Sequence, residues 1–118
     1  TLGGYFIKHT DGNVWNILGD LVNIKIDGCH RIQGNIGMDL ALLKEQYGDK
    51  LCFFGGVNCE KLIEGTPKQV REEVRYAITQ AARGGGLVVT NSNVIQPGSL
   101  IDNYFAMRKA IHDYGGHA

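Results

Sequence analysis

The sequence has little that would place it in a specialised class of protein. Only three of its 118 residues are cysteine, and only two are proline. The spacing of Cys29, Cys52 and Cys59 fits no zinc finger, so we interpret them as reduced, partly buried residues of a cytoplasmic protein. Its 12 acidic and 12 basic residues balance, which indicates neither a nucleic-acid-binding nor a polybasic membrane surface. The apolar runs are strand-sized, too short to cross a membrane.

The sequence does contain a repeated alternation of strand and helix. Each of four short apolar runs leads into a polar loop and then into a stretch of helical periodicity. The runs are residues 5–9, 26–32, 51–57 and 87–90. This alternation predicts a parallel α/β sheet, because parallel strands need a crossover long enough to hold a helix. No shift in composition marks a second domain, so we predict one domain over residues 1–118.

The helices have recognisable start signals. Thr66 and Gln69 predict a capping box, with a proline at the first helical position between them. Asp39 is the predicted cap of a shorter helix, and Ser99 that of a final helix over residues 100–114.

Four strand–helix units make about half of an eightfold (β/α)8 TIM barrel, which usually needs ~250 residues. An open doubly wound domain would use the same elements. A half barrel leaves two unpaired edge strands. We therefore expect either a longer polypeptide that contains the N-terminal half of the same barrel, or a second copy that pairs through the sheet edges.

Candidate site residues follow the strands, because the loops at the carboxyl ends of parallel strands build the active site. His9 and Asp11 lie two residues apart at the end of the first strand, so both can face the barrel mouth. We predict these two as catalytic residues. Polar residues near the ends of the other strands or in the loops that follow them are predicted to bind substrate: His30, Gln33, Asn58 and Asn93.

Several of these residues also have a simpler interpretation. His9 can hydrogen-bond a neighbouring carbonyl, and Asp11 can cap the helix that begins near Asn13. Asn58 and Asn93 can hold their own turns. The predicted position of His30 depends on the strand register, since a shift of one residue moves it to the helix side.

Ordered segments along nearly the whole chain resemble the uroporphyrinogen decarboxylase superfamily. They are residues 8–15, 26–28, 38–51, 54–58, 65–70, 84–86 and 97–115. The resemblance implies a (β/α)8 barrel of which this chain is the C-terminal half, strands five to eight.

That superfamily includes porphyrin-pathway decarboxylases and zinc-dependent methyltransferases that exchange methyl groups with a corrinoid on a partner protein. The methyltransferases have a His-x-Cys metal motif at the first strand of this half and a second Cys after the last. Here His9 is kept, whereas Asp11 and Asn93 stand in the two cysteine positions. The resemblance implies His9 and Asp11 as zinc ligands, the others coming from the N-terminal half, so this fragment alone should bind metal weakly.

For the full-length protein we predict a methyltransferase that acts with a corrinoid protein, the fragment alone being inactive. One alternative is a uroporphyrinogen decarboxylase. The substrate of such an enzyme carries eight carboxylates. Only Lys8, Arg31 and His30 are basic groups near the strand ends, so few residues support this alternative. A non-catalytic module that dimerises into a barrel is the other alternative.

Overall fold

The computed structural model describes residues 2–116 and contains a four-stranded sheet. The strands are parallel and follow one another in the order β1-β2-β3-β4, as predicted. Their bounds are β1 Ile7–His9, β2 Gly28–Ile32, β3 Cys52–Val57 and β4 Leu87–Asn91. The first three begin one or two residues later than their apolar runs, because ladder pairing starts only where Ile7 lies beside Gly28 and Gly28 beside Cys52.

Within residues 2–116, five helices connect or follow the strands. They are α1 Trp15–Asn23, α2 Leu40–Tyr47, α3 Cys59–Glu64, α4 Pro67–Ala81 and α5 Ile101–Tyr114, with a 3-10 turn at Gly34–Ile36. Helix α3 and the 3-10 turn were not predicted. Six residues are too few to establish a helical period in the sequence, which explains why α3 was missed.

Two of the three predicted caps are confirmed. Thr66 and Gln69 form the reciprocal capping box of α4, and the Asp39 carboxylate accepts from the N–H groups of Ala41 and Leu42, the second and third residues of α2. The prediction for Ser99 was wrong, because Leu100 is the N-cap residue of α5 and makes no side-chain cap bond. The Leu100 N–H donates to the Leu62 carbonyl at 2.8 Å, and this contact with α3 fixes where α5 begins.

One face of the sheet is covered by helices and the other is open. The covered face holds fully buried side chains such as Phe53 and Val57, which pack into two apolar clusters with helix residues. On the open face Ile7 and Val88 are 38% and 41% exposed. This arrangement is the one expected of half a barrel, whose open face would be the barrel interior.

The three cysteines are free, and they lie where the sequence predicted. Cys29 and Cys59 are buried and Cys52 is partly buried. Burial raises the pKa of the Cys29 and Cys52 thiols, which favours the protonated form of both, and only Cys29 of these two belongs to the apolar core.

Candidate functional site

Two histidines meet at the carboxyl ends of the first two strands. His9 and His30 are register partners across the β1–β2 ladder, and their Nδ1 atoms are 2.7 Å apart. At that distance one ring donates and the other accepts, so a single proton lies between the two nitrogens. The pair places His30 on the same open face as His9, which settles the register question in favour of the barrel mouth.

Asp11 joins this pair from the loop that follows β1. Its Oδ1 atom lies 3.6 Å from Nε2 of His9 and also accepts a hydrogen bond from the Arg31 guanidinium. The interpretation of Asp11 as a helix cap was wrong. The N-cap residue of α1 is Val14, which makes no side-chain cap bond, and Asn13, one residue earlier, accepts from the Trp15 N–H through its Oδ1 atom at 3.0 Å.

Arg31 reaches Asp11 because β2 is irregular at this residue. The ladder with β3 shifts between His30 and Ile32, and Arg31 has a φ of 76°, in the left-handed region that arginine rarely adopts. Regular alternation would send Arg31 to the opposite face from His30. The bulge instead brings both side chains to the mouth, which is a common use of bulges beside functional sites.

The environment of His30 favours its neutral form. Burial lowers the pKa of its imidazole, and the neighbouring His9 and Arg31 lower it further. The neutral ring keeps one nitrogen free to accept, as the short contact with His9 requires. We refer to His9, Asp11, His30 and Arg31 as the mouth cluster.

The other predicted substrate-binding residues do not join the mouth cluster. Buried Gln33 donates to the Glu60 carboxylate of α3 at 3.3 and 3.5 Å. Asn58 donates to Glu73 of α4 twice, from its backbone N–H at 2.8 Å and its side-chain amide at 2.7 Å. Asn93 follows β4, at the sheet edge opposite His9.

Asn58 and Glu73 line a cavity of about 320 Å³ between the sheet, α2 and α4. Burial raises the pKa of the Glu73 carboxyl, while the two hydrogen bonds from Asn58 lower it in part. Asn58 thus stabilises a half-buried carboxylate on the helix side of the sheet. No sequence signal predicts this pair, because Glu73 looks like an ordinary polar position of an amphipathic helix.

The mouth cluster, as arranged, does not fit a catalytic zinc site. Such sites usually offer three protein ligands with an open fourth position. Within residues 2–116, no group of three or more His, Cys, Asp or Glu side chains is arranged to hold a metal ion. The nearest donors are engaged with one another, and the Asp11 oxygen closest to His9 already binds Arg31.

Sequence comparison identifies the family of this half barrel. The family model for uroporphyrinogen decarboxylase (URO-D) matches residues 2–114. The chain belongs to the uroporphyrinogen decarboxylase family. No curated protein matches the chain significantly.

Among solved structures, the fold of this URO-D chain is similar to that of a methyltransferase from Methanosarcina mazei. The TM-score is 0.80 at 23% sequence identity, over 97% of this chain and 32% of that protein. The likeness shows a shared fold, a partial TIM barrel, and the chain spans about a third of the structure it matches. None of the helices within residues 2–116 has both the length and the apolar character of a membrane span.

Proposed function

We propose that the full-length protein is a methyltransferase that acts with a corrinoid protein, and that this chain supplies His9, Asp11 and His30 to its active site. Membership of the URO-D family and the fold shared with a methyltransferase support the proposal. Three free cysteines, two of them buried, are compatible with the reducing cytoplasm, where we place it.

The pairing of Arg31 is the observation that favours methyl transfer over porphyrinogen decarboxylation. A tetrapyrrole with eight carboxylates needs several available cations. At the ends of β1 and β2, Arg31 is bound to Asp11, and the Lys8 ammonium donates to the His9 carbonyl at 3.3 Å. This part of the mouth is therefore close to neutral, which suits a small substrate better than a polyanion.

The histidine pair can perform the proton transfer that methyl exchange requires. A neutral substrate heteroatom that loses its methyl group as CH3⁺ is left as an anion that takes up a proton, and a protonated heteroatom that receives the methyl group gives its proton up. His9 and His30 can hold that proton, while Asp11 orients the His9 ring. The partner's corrinoid, when bound, supplies the cobalt that accepts or donates the methyl group.

The proposal is tested with purified full-length protein, free corrinoid and a set of methylated thiols, amines and alcohols. We expect at least one donor to methylate cob(I)alamin in a protein-dependent reaction, followed in the visible spectrum of the corrinoid. A preparation that transfers no methyl group but decarboxylates uroporphyrinogen would contradict the proposal and favour the decarboxylase alternative.

We also propose that the N-terminal half of the same barrel covers the open face of the sheet. The matched structure is about three times as long as this chain, and the open face carries exposed apolar side chains, including Tyr5, Ile7 and Val88. The N-terminal half would cover these side chains and pair with the free edges of β1 and β4. An isolated half barrel would instead expose an apolar patch and two unpaired strand edges, both of which promote aggregation.

Val88→Asp tests whether this face is covered. In the full-length protein we expect it to lower the free energy of unfolding by more than about 2 kcal/mol, because a carboxylate would be buried without a partner. Urea denaturation measures the change, and size-exclusion chromatography with light scattering tells a monomer from a second copy. Leu42→Asp is the matched control, since Leu42 is 55% exposed on α2. Equal, small effects of both substitutions would show that the face stays open.

A further inference from the structure

The mouth cluster contains the side chains of a metal site but not its arrangement. Two imidazoles and a carboxylate, from His9, His30 and Asp11, are a donor set that first-row metal ions accept. We propose that the Arg31 guanidinium supplies the positive charge of this site in place of a metal ion, so that the site works without zinc. The inference concerns the site of the proposed function and rests on that assignment, but not on which reaction the site performs.

The first reason to expect a site without a metal ion is the position of the carboxylate. Asp11 is the only acidic member of the mouth cluster, and its Oδ1 atom, the one that faces His9, is bound to Arg31. A divalent ion at that oxygen would have to displace the guanidinium and would then lie next to its positive charge. Arg31 is 20% exposed, whereas Asp11 is 69% exposed, so water screens this repulsion in part.

The histidines are the second reason. Ligands about 2.0–2.1 Å from a tetrahedral ion lie roughly 3.3 Å from one another, each with its lone pair towards the metal. The Nδ1 atoms of His9 and His30 are 2.7 Å apart and share a hydrogen bond. One of these nitrogens carries the proton and the other accepts it, so neither offers a free lone pair.

The backbone of Arg31 is the third reason. Its φ of 76° and the register shift next to it turn the side chain to the mouth. Residues held in such conformations concentrate at functional sites. The Arg31 Nε atom is buried and has no hydrogen-bond partner among the described residues, so the side chain is not placed there to satisfy its own donors. Among residues 2–116, the one polar contact of the Arg31 side chain is with Asp11.

The experiment measures metal binding by the full-length protein after treatment with a chelator. Wild-type protein is titrated with Zn²⁺ in a calorimeter and with Co²⁺ in the visible range, where ligand-field bands report coordination. We expect no stoichiometric binding at micromolar metal. Arg31→Met should bind one equivalent at least tenfold more tightly than wild type, because His9, His30 and Asp11 become free to converge.

Matched variants separate the effect of charge from that of shape. Arg31→Lys keeps the positive charge and should exclude the metal as wild type does. Arg31→Gly also removes the charge, and glycine readily adopts the positive φ of this position. It replaces Arg31→Met in the titration if that variant does not fold. Adding His9→Ala to Arg31→Met should abolish the new binding.

Two results would overturn the inference. One is a wild-type protein that binds one equivalent of Zn²⁺ which His9→Ala and Asp11→Ala each remove. The other is folded Arg31→Met and Arg31→Gly proteins that gain no affinity over wild type. Neither result depends on methyl transfer. The proposed function can therefore fail while this inference stands, and this inference can fail while the proposed function stands.

Discussion

Replacement of His9 by alanine in the full-length protein should lower kcat/KM for methyl transfer by roughly 10²–10⁴-fold, the usual loss when a positioned acid–base group is removed. His9 is the member of the mouth cluster that contacts both His30, at 2.7 Å, and Asp11, at 3.6 Å. Without the ring, the shared proton and the contact with Asp11 are lost together. The side chain is 50% exposed, so the folded state should lose little stability.

A second histidine provides the control. His112→Ala removes an exposed imidazole from α5, outside the mouth cluster, and should leave both rate and stability unchanged. Asp11→Ala should slow the reaction less than His9→Ala, because the His9–His30 pair survives. If His9→Ala retains full activity in a protein that folds normally, His9 has only a hydrogen-bonding role and the site assignment is wrong.

The fold was accessible from the sequence because its signals are local. Strand-length apolar runs alternate with helical stretches, and the N-cap residues Thr66 and Asp39 mark the starts of their helices. The prediction of Ser99 as the cap of α5 was wrong because a contact between residues distant in the sequence sets the beginning of this helix. In that contact the Leu100 N–H donates to the Leu62 carbonyl. A composition-based cap prediction does not include such a contact.

The site was accessible only in part because it depends on register. His9 and His30 were each predicted, but their contact requires β1 and β2 to pair with these two residues side by side. The position of Arg31 depends on a bulge, which the alternation of the strand does not indicate. Asn58 follows β3 as predicted, yet its two hydrogen bonds to Glu73 lie on the helix side. Residue types and approximate positions could be read from the chain, whereas side-chain partners could not.

The largest loss of stability is expected for Phe53→Ala, about 3–5 kcal/mol of the free energy of unfolding. Phe53 is fully buried on the covered face of β3 and pairs in the ladder with Cys29 on one side and Leu87 on the other. Removing the ring costs its burial and leaves a cavity in the first apolar cluster, which the surrounding sheet and helices can fill only in part.

Urea denaturation of the full-length protein, followed by circular dichroism, measures this loss as a lower midpoint with an unchanged slope. Phe105→Ala is the matched control, because the same ring is 54% exposed on α5 and its removal should cost less than about 1 kcal/mol. The comparison also bears on the site, since β3 lies beside β2 and fixes the strand that carries His30 and Arg31. Equal midpoints for the two variants would mean that the side of β3 on which Phe53 lies does not pack against the helices.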